Sequence, residues 1–210
     1  MMYSILSSAI LGASVVLANA IPGGSFRRDA TAIELVDMIY EGPITPSGKN
    51  YTLTGDAKAS PHCCFKPGIY EQILQLNPSY NINDFNVPAP KIASRTPIAT
   101  YCDVTPNHAD SKAIQEGIDY LNSLGAGACR LGPRAGTRVS CSWKSAIYYW
   151  NDNNYDIAVS CNYLGYGLSQ NAYDICSPAN WPLSFSAQVF DSGNYNVIIS
   201  KSNQFGEGDC

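Results

Sequence analysis

The residues of this chain that could do chemistry are two histidines, eight cysteines and one closely spaced pair of acids. A Ser-His-Asp or Cys-His arrangement needs a histidine held by a third group. His108 has Asp103 and Asp110 nearby in sequence, but it stands in a Pro- and Asn-rich loop, where a histidine is usually solvated. His62 adjoins Cys63, and an oxidised sulfur is no nucleophile. Glu116 and Asp119 are three apart on a predicted helix and share a face, whereas glycoside hydrolysis needs two acids converging on one bond. The sequence offers neither of them a separate partner. A copper-dependent polysaccharide oxygenase would need an N-terminal histidine, and Ile21 or Asp29 would stand there instead. The His, Glu and Arg set of secreted ribonucleases cannot be assembled, and a hydrophobin needs two Cys-Cys doublets where this chain has one. No catalytic residue, metal ligand set or cofactor is assigned.

Binding chemistry is better represented. Arg130, Arg134, Arg138 and Lys144 fall within fifteen positions that hold no acid, among Gly132, Pro133 and Gly136. The sequence reads this as an exposed basic loop able to meet an anionic partner. Tyr148, Tyr149, Trp150, Tyr155, Tyr163 and Tyr166 crowd together, with Trp143 and Trp181 outside the run. At least half should be core; those left outside can stack on sugars or a protein surface.

The compartment follows from the N-terminus. Ile5 to Ala18 is an apolar run ending at the small-x-small site Ala18-Asn19-Ala20. At about fourteen residues it is too short to span a bilayer and matches a secretory signal peptide, residues 1–20. Arg27-Arg28 marks 21–28 as a candidate propeptide. Removing both takes the net charge from −4 to −6 without any block of like charge, which argues against nucleic acid or an anionic membrane as partner. No later segment reads as a membrane span. Exported cysteines are disulfide material: Cys63, Cys64, Cys102, Cys129, Cys141, Cys161, Cys176 and Cys210. No C-x-x-C spacing suggests zinc. Cys63 and Cys64 are adjacent, so they are expected to bond to separate partners, linking an N-terminal arm to the core. Asn50-Tyr51-Thr52 is a glycosylation sequon; Asn77-Pro78-Ser79 is blocked by its proline.

The elements that must position these residues divide into an arm, 29–97, and a core, 98–210. The arm opens with Ile33, Leu35, Val36, Met38 and Ile39, a short helix or strand, then turns. Pro67 to Leu76 reads as a helix stopped by Asn77-Pro78, and Asp84 to Pro97 as an extended linker. In the core, Ile98 to Asp103 is a strand. Asp110 to Leu124 is a helix, with Asp110 or Ser111 as its cap and Gly125 at its end. Ala126 to Gly136 is a loop. Thr137 to Trp143 alternates Val139, Cys141 and Trp143 with polar residues, a strand with one buried face. Ser145 to Trp150 and Asp156 to Ser160 are strands, Asn162 to Ile175 a helix weakened by Gly165 and Gly167, and Ser184 to Phe190 with Tyr195 to Ser200 a hairpin. This order suits an α+β fold: an antiparallel sheet with two helices packed on one face.

Five core segments carry a resemblance. They are the helix Ala113-Ile114-Gln115-Glu116-Gly117-Ile118-Asp119-Tyr120-Leu121-Asn122; Arg138-Val139-Ser140-Cys141-Ser142-Trp143; Ser145-Ala146-Ile147; Trp150-Asn151-Asp152-Asn153; and Gln188-Val189-Phe190-Asp191 leading into Tyr195-Asn196-Val197-Ile198-Ile199. Together, over about Tyr101 to Ser200, they resemble small secreted cysteine-rich proteins of fungi. More distantly they are similar to the killer-toxin-like and necrosis-inducing effector group. The resemblance implies an α/β-sandwich fold and a toxin-like or effector role. Its members often carry a cysteine where Trp150 stands, paired with another in the loop before the Val-Ser-Cys strand; neither is present here. The expectation is a secreted, monomeric, non-enzymatic binding protein whose partner is an extracellular protein or cell-wall glycan. The rival reading is a secreted hydrolase of cell-wall polymer.

Overall fold

The computed structural model describes residues 35–56, 68–85, 97–125, 127–177 and 183–210. The segments 1–20 and 21–28, read above as signal peptide and propeptide, lie outside the described residues, as do His62, Cys63, Cys64 and Trp181.

A five-stranded antiparallel sheet forms the centre. Its strands are β3 (Pro97–Cys102), β6 (Gly136–Ser142), β7 (Ser145–Asn151), β10 (Ala187–Asp191) and β11 (Tyr195–Lys201), in the order β3-β10-β11-β7-β6. Each strand of the central three presents an alternating set of Val, Ile and Tyr to the helices: Ile147 and Tyr149, Val197 and Ile199, Ala187 and Val189 are all fully buried. Helix α2 (Ser111–Ser123) packs on β6 and β7. Its cap is Asp110, whose Oδ1 accepts from the Ala113 N–H at 2.9 Å. Ile114, Ile118 and Leu121 recur at helical spacing on its inner face. A single turn-rich segment, Tyr163–Ser169, is wound as a π-helix and runs into α3 (Gln170–Cys176), which packs on β3 and β10. So the fold is α+β, with two helical segments on one face of an antiparallel sheet.

Gly165 and Gly167 do more than weaken that helix. A Cβ at Gly165 would lie 2.6 Å from Asn122 Oδ1 and 3.1 Å from the Ile118 carbonyl, so glycine lets the π segment seat directly on α2.

A second sheet was not expected. Its order is β2-β1-β5-β8, with β1 (Ile39–Pro43), β2 (Asn50–Thr54), β5 (Ala128–Leu131) and β8 (Ile157–Ser160). The stretch read as a glycine-punctuated loop therefore contains a central strand. Arg130 points one way while Cys129 and Leu131 are buried the other way, a short alternation that the flanking glycines masked. The β1–β5 pairing also joins the predicted arm to the predicted core. Met38, Tyr40, Ile69 and Ile73 belong to one apolar cluster with Ile118, Leu121 and Val159, so the boundary at residue 97 does not separate two hydrophobic cores. Ile69 and Ile73 come from α1 (Ile69–Leu76), which ends at Asn77 as its proline neighbour requires. Short β4 (Ala109–Asp110) and β9 (Ser184–Phe185) pair to frame the start of α2.

The other face of the five-stranded sheet is covered by the C-terminal tail. Phe205 packs edge-on against Tyr148 and Trp150, over Cys141, Ala146 and Ile198. Trp150 also fills the space left by Gly136, its direct cross-strand neighbour: a Cβ there would meet the indole at 2.2 Å.

Candidate functional site

The four basic residues do not form one surface. Arg130 is on β5, paired with Glu41 of β1 at 2.7 Å. Arg134 is exposed in the turn before β6. Lys144 sits at the far end of β6, some 20 Å away at the usual rise of about 3.3 Å per strand residue. Arg138, expected in an exposed loop, is instead largely covered, its side chain 11 % exposed. Its guanidinium lies 3.7 Å from Asp56 and 3.8 Å from Glu207, and Nη1 donates to the Gly208 carbonyl at 2.9 Å. The cause is the tail, which folds across β6 and is drawn onto Arg138 by Glu207. Burial pushes Asp56 up to about 6, against the pull of Arg138. The Tyr148 hydroxyl donates to Glu207 in the same cluster, and burial and that carboxylate hold its pKa well above the usual value. The charge of Arg138 is thereby met within the fold.

His108 stays exposed, its Nε2 3.3 Å from a still more exposed Asp103. Among the described residues no three His, Cys, Asp or Glu side chains gather closely enough to hold a metal.

The cysteines are resolved further. Cys102 bonds Cys176, tying β3 to the end of α3; Cys129 bonds Cys161, tying β5 to β8; Cys141 bonds Cys210, tying β6 to the chain end. Their Cα separations of 5.3, 5.1 and 5.9 Å are ordinary for disulfides. All six cysteines from Cys102 onward are thereby used. The expected link from the Cys63-Cys64 doublet to a core cysteine has no sulfur left to take, and the doublet itself lies outside the described residues. Asn50, the sequon residue, is exposed at the start of edge strand β2.

Most of the aromatic run is core. Tyr148, Tyr149, Trp150 and Tyr163 are buried, while Tyr155 and Tyr166 are more than half exposed. Trp143 is the correction. It was placed on the buried face of its strand with Val139 and Cys141, yet it is 75 % exposed. A register shift between Arg138 and Ser140 breaks the alternation, so Val139 faces the helices, Cys141 faces the tail, and β6 ends at Ser142. Trp143 and Lys144 then form the two-residue loop of the β6–β7 hairpin, with φ of 49° and 58°.

Two adjoining clefts open along the outer face of α2. One, of about 420 Å³, is lined by Asp110, Lys112, Ala113, Glu116 and Trp143. The other, of about 200 Å³, is lined by Tyr70, Glu116, Asp119, Tyr120 and Ser123. They meet at Glu116. Lys112, Glu116, Asp119, Tyr120 and Ser123 recur at three- and four-residue spacing, so one helical stripe supplies the floor. Tyr70 of α1 stacks at a tilt on Tyr120, its centroid 5.9 Å away. Glu116 is half-buried and makes no hydrogen bond or ion pair among the described residues. Comparison of this chain with protein-family models, with curated proteins and with solved structures gives no match. The site must be read from its own geometry. A flat indole, a second aromatic pair and polar groups along a shallow trough are suited to holding an extended polar ligand. Sequence reasoning reached Glu116 and Asp119 but missed Lys112, Tyr120 and Tyr70; the helical stripe was visible, its aromatic walls were not.

Proposed function

We propose that this is a secreted, disulfide-bonded binding protein of fungal effector or toxin-like type, acting outside the cell without catalysis. Three disulfides fit an oxidising compartment, and no helix of the described residues is long and apolar enough to cross a membrane. The observation that carries the reading is the arrangement of acids in the α2 trough. Asp110, Glu116 and Asp119 all come from α2 and its cap, whereas Trp143 and Tyr70 come from other elements and carry no carboxyl. Glycoside hydrolysis needs a second carboxyl on the other side of the bond, about 5 to 9 Å from the first. Asp110 is moreover engaged in capping its own helix. A trough whose carboxylates all come from one helix and its cap is read as holding a ligand without cutting it.

The test is capture from fungal and plant wall extracts alongside a hydrolase panel on wall polymers. A retained component with no substrate turnover supports the proposal. Turnover abolished by Glu116→Gln would replace it with the hydrolase reading.

A further inference from the structure

The Trp143-Lys144 turn is an expensive choice. A two-residue hairpin loop with both φ values positive is the type normally made by Asn-Gly, because bulky side chains are strained there. Here a tryptophan and a lysine occupy both positions. The turn is also held from every side. Lys144 N–H donates to the Cys210 carbonyl at 3.0 Å, and Ser202 N–H donates to the Lys144 carbonyl at 2.9 Å. Ser145 Oγ donates to the Trp143 carbonyl and accepts from Asp110 N–H at 2.9 Å, fixing the hairpin tip to the start of α2. A strained backbone, over-determined by its surroundings, presents an indole 75 % exposed beside the trough. Core packing does not require that ring.

Resting on the binding reading above, we propose that the α2 trough is a glycan site for a polymer containing glucosamine, with Trp143 as the platform for a sugar ring and Glu116 as the partner of its ammonium group. The C–H face of a pyranose is apolar and lies flat on an indole. Sugar amines and hydroxyls need acceptors, and Glu116 has no partner among the described residues where the two clefts meet. The lining carries three carboxylates against the single cation of Lys112, a balance that favours a cationic ligand over a neutral or anionic one. Helix α2 runs about 20 Å at 1.5 Å per residue, long enough to follow several rings in a row.

The experiment is titration calorimetry of the full-length secreted protein with three soluble hexamers: β-1,4-linked glucosamine, N-acetylglucosamine and glucose. The pH is set where the glucosamine amines are protonated. The glucosamine hexamer should bind about tenfold more tightly than the other two, a preference that salt erodes. Trp143→Ala should weaken every hexamer by about tenfold or more, and Glu116→Gln should remove the preference for the amino sugar. Replacing Trp143-Lys144 by Asn-Gly should abolish binding while raising Tm, so that lost binding cannot be lost folding. Absence of glucosamine-hexamer binding, or unchanged affinity in both single variants, overturns the site. New reducing ends from the hexamer would support the site and overturn the non-catalytic reading. Capture of one wall component equally by the wild type and Trp143→Ala would do the reverse.

Discussion

Removing the Arg138 guanidinium would leave Asp56 and Glu207 facing each other beneath the tail with no counter-charge. Breaking a buried pair on one side costs several kcal/mol, because the remaining charge stays desolvated. Arg138→Ala should therefore lower stability by about 2–4 kcal/mol in urea denaturation. Ala at the exposed Arg134 or Lys144 should stay within about 0.5 kcal/mol, and so should His108→Ala. Asp56 adds a pH signature. Its folded pKa of about 6 lies above its ordinary 3.8, so between those values the folded chain binds more protons than the unfolded one. Stability from this group therefore falls as pH rises through 4 to 6, by on the order of 2 kcal/mol. Asp56→Asn should flatten that part of the profile; an unchanged slope would show that the carboxyl is not desolvated by the fold. The charges of these residues are plain in the sequence. Their burial is not, because the tail that covers Arg138 lies about seventy positions away.

At the scale of elements, the π segment is seated closely on α2. Gly165→Ala would drive a methyl into the Asn122 side chain and the Ile118 carbonyl. Overpacking of this kind costs about 1–3 kcal/mol, read as a lower urea midpoint; Gly132→Ala, whose Cβ would meet nothing nearer than 3.9 Å, is the control and should be near neutral. Most elements were legible from spacing alone: α2 from its apolar period and Asp110 cap, the β10–β11 hairpin from Asp191-Ser192-Gly193-Asn194, α1 from its proline-bounded run. Among those that were not are β2, β5 and the end of β6. β5 is four residues long and becomes a strand only because β1 and β8 bond both its edges. The bulge in β6 flips its face halfway along, and no period detects that.

For the whole molecule, the disulfides set resistance to unfolding. The bridged residues lie 74, 32 and 69 positions apart. Chain-entropy reasoning gives each cross-link about 4 kcal/mol, since the dependence on loop length is only logarithmic. A non-reducing peptide map should recover Cys102–Cys176, Cys129–Cys161 and Cys141–Cys210. Paired Cys→Ala variants at each should lose comparable stability, despite the twofold range of loop length. Recovery of Cys63 or Cys64 joined to any of those six would contradict the fold. The same map should find a glycan on Asn50, exposed at a sheet edge.

The sequence by itself determined what local physics controls: cysteines able to pair, an α+β order from its periods, and helix ends from Asp110, Asn77 and Gly125. Only the tertiary structure decided which sulfurs meet, that the arm shares the core, that Arg138 is hidden and that Trp143 is displayed. Each of these depends on contacts between residues distant in the chain. Hydrophobic pattern says that a side chain can be buried; which partner covers it, or leaves it bare, is set by how the layers come together.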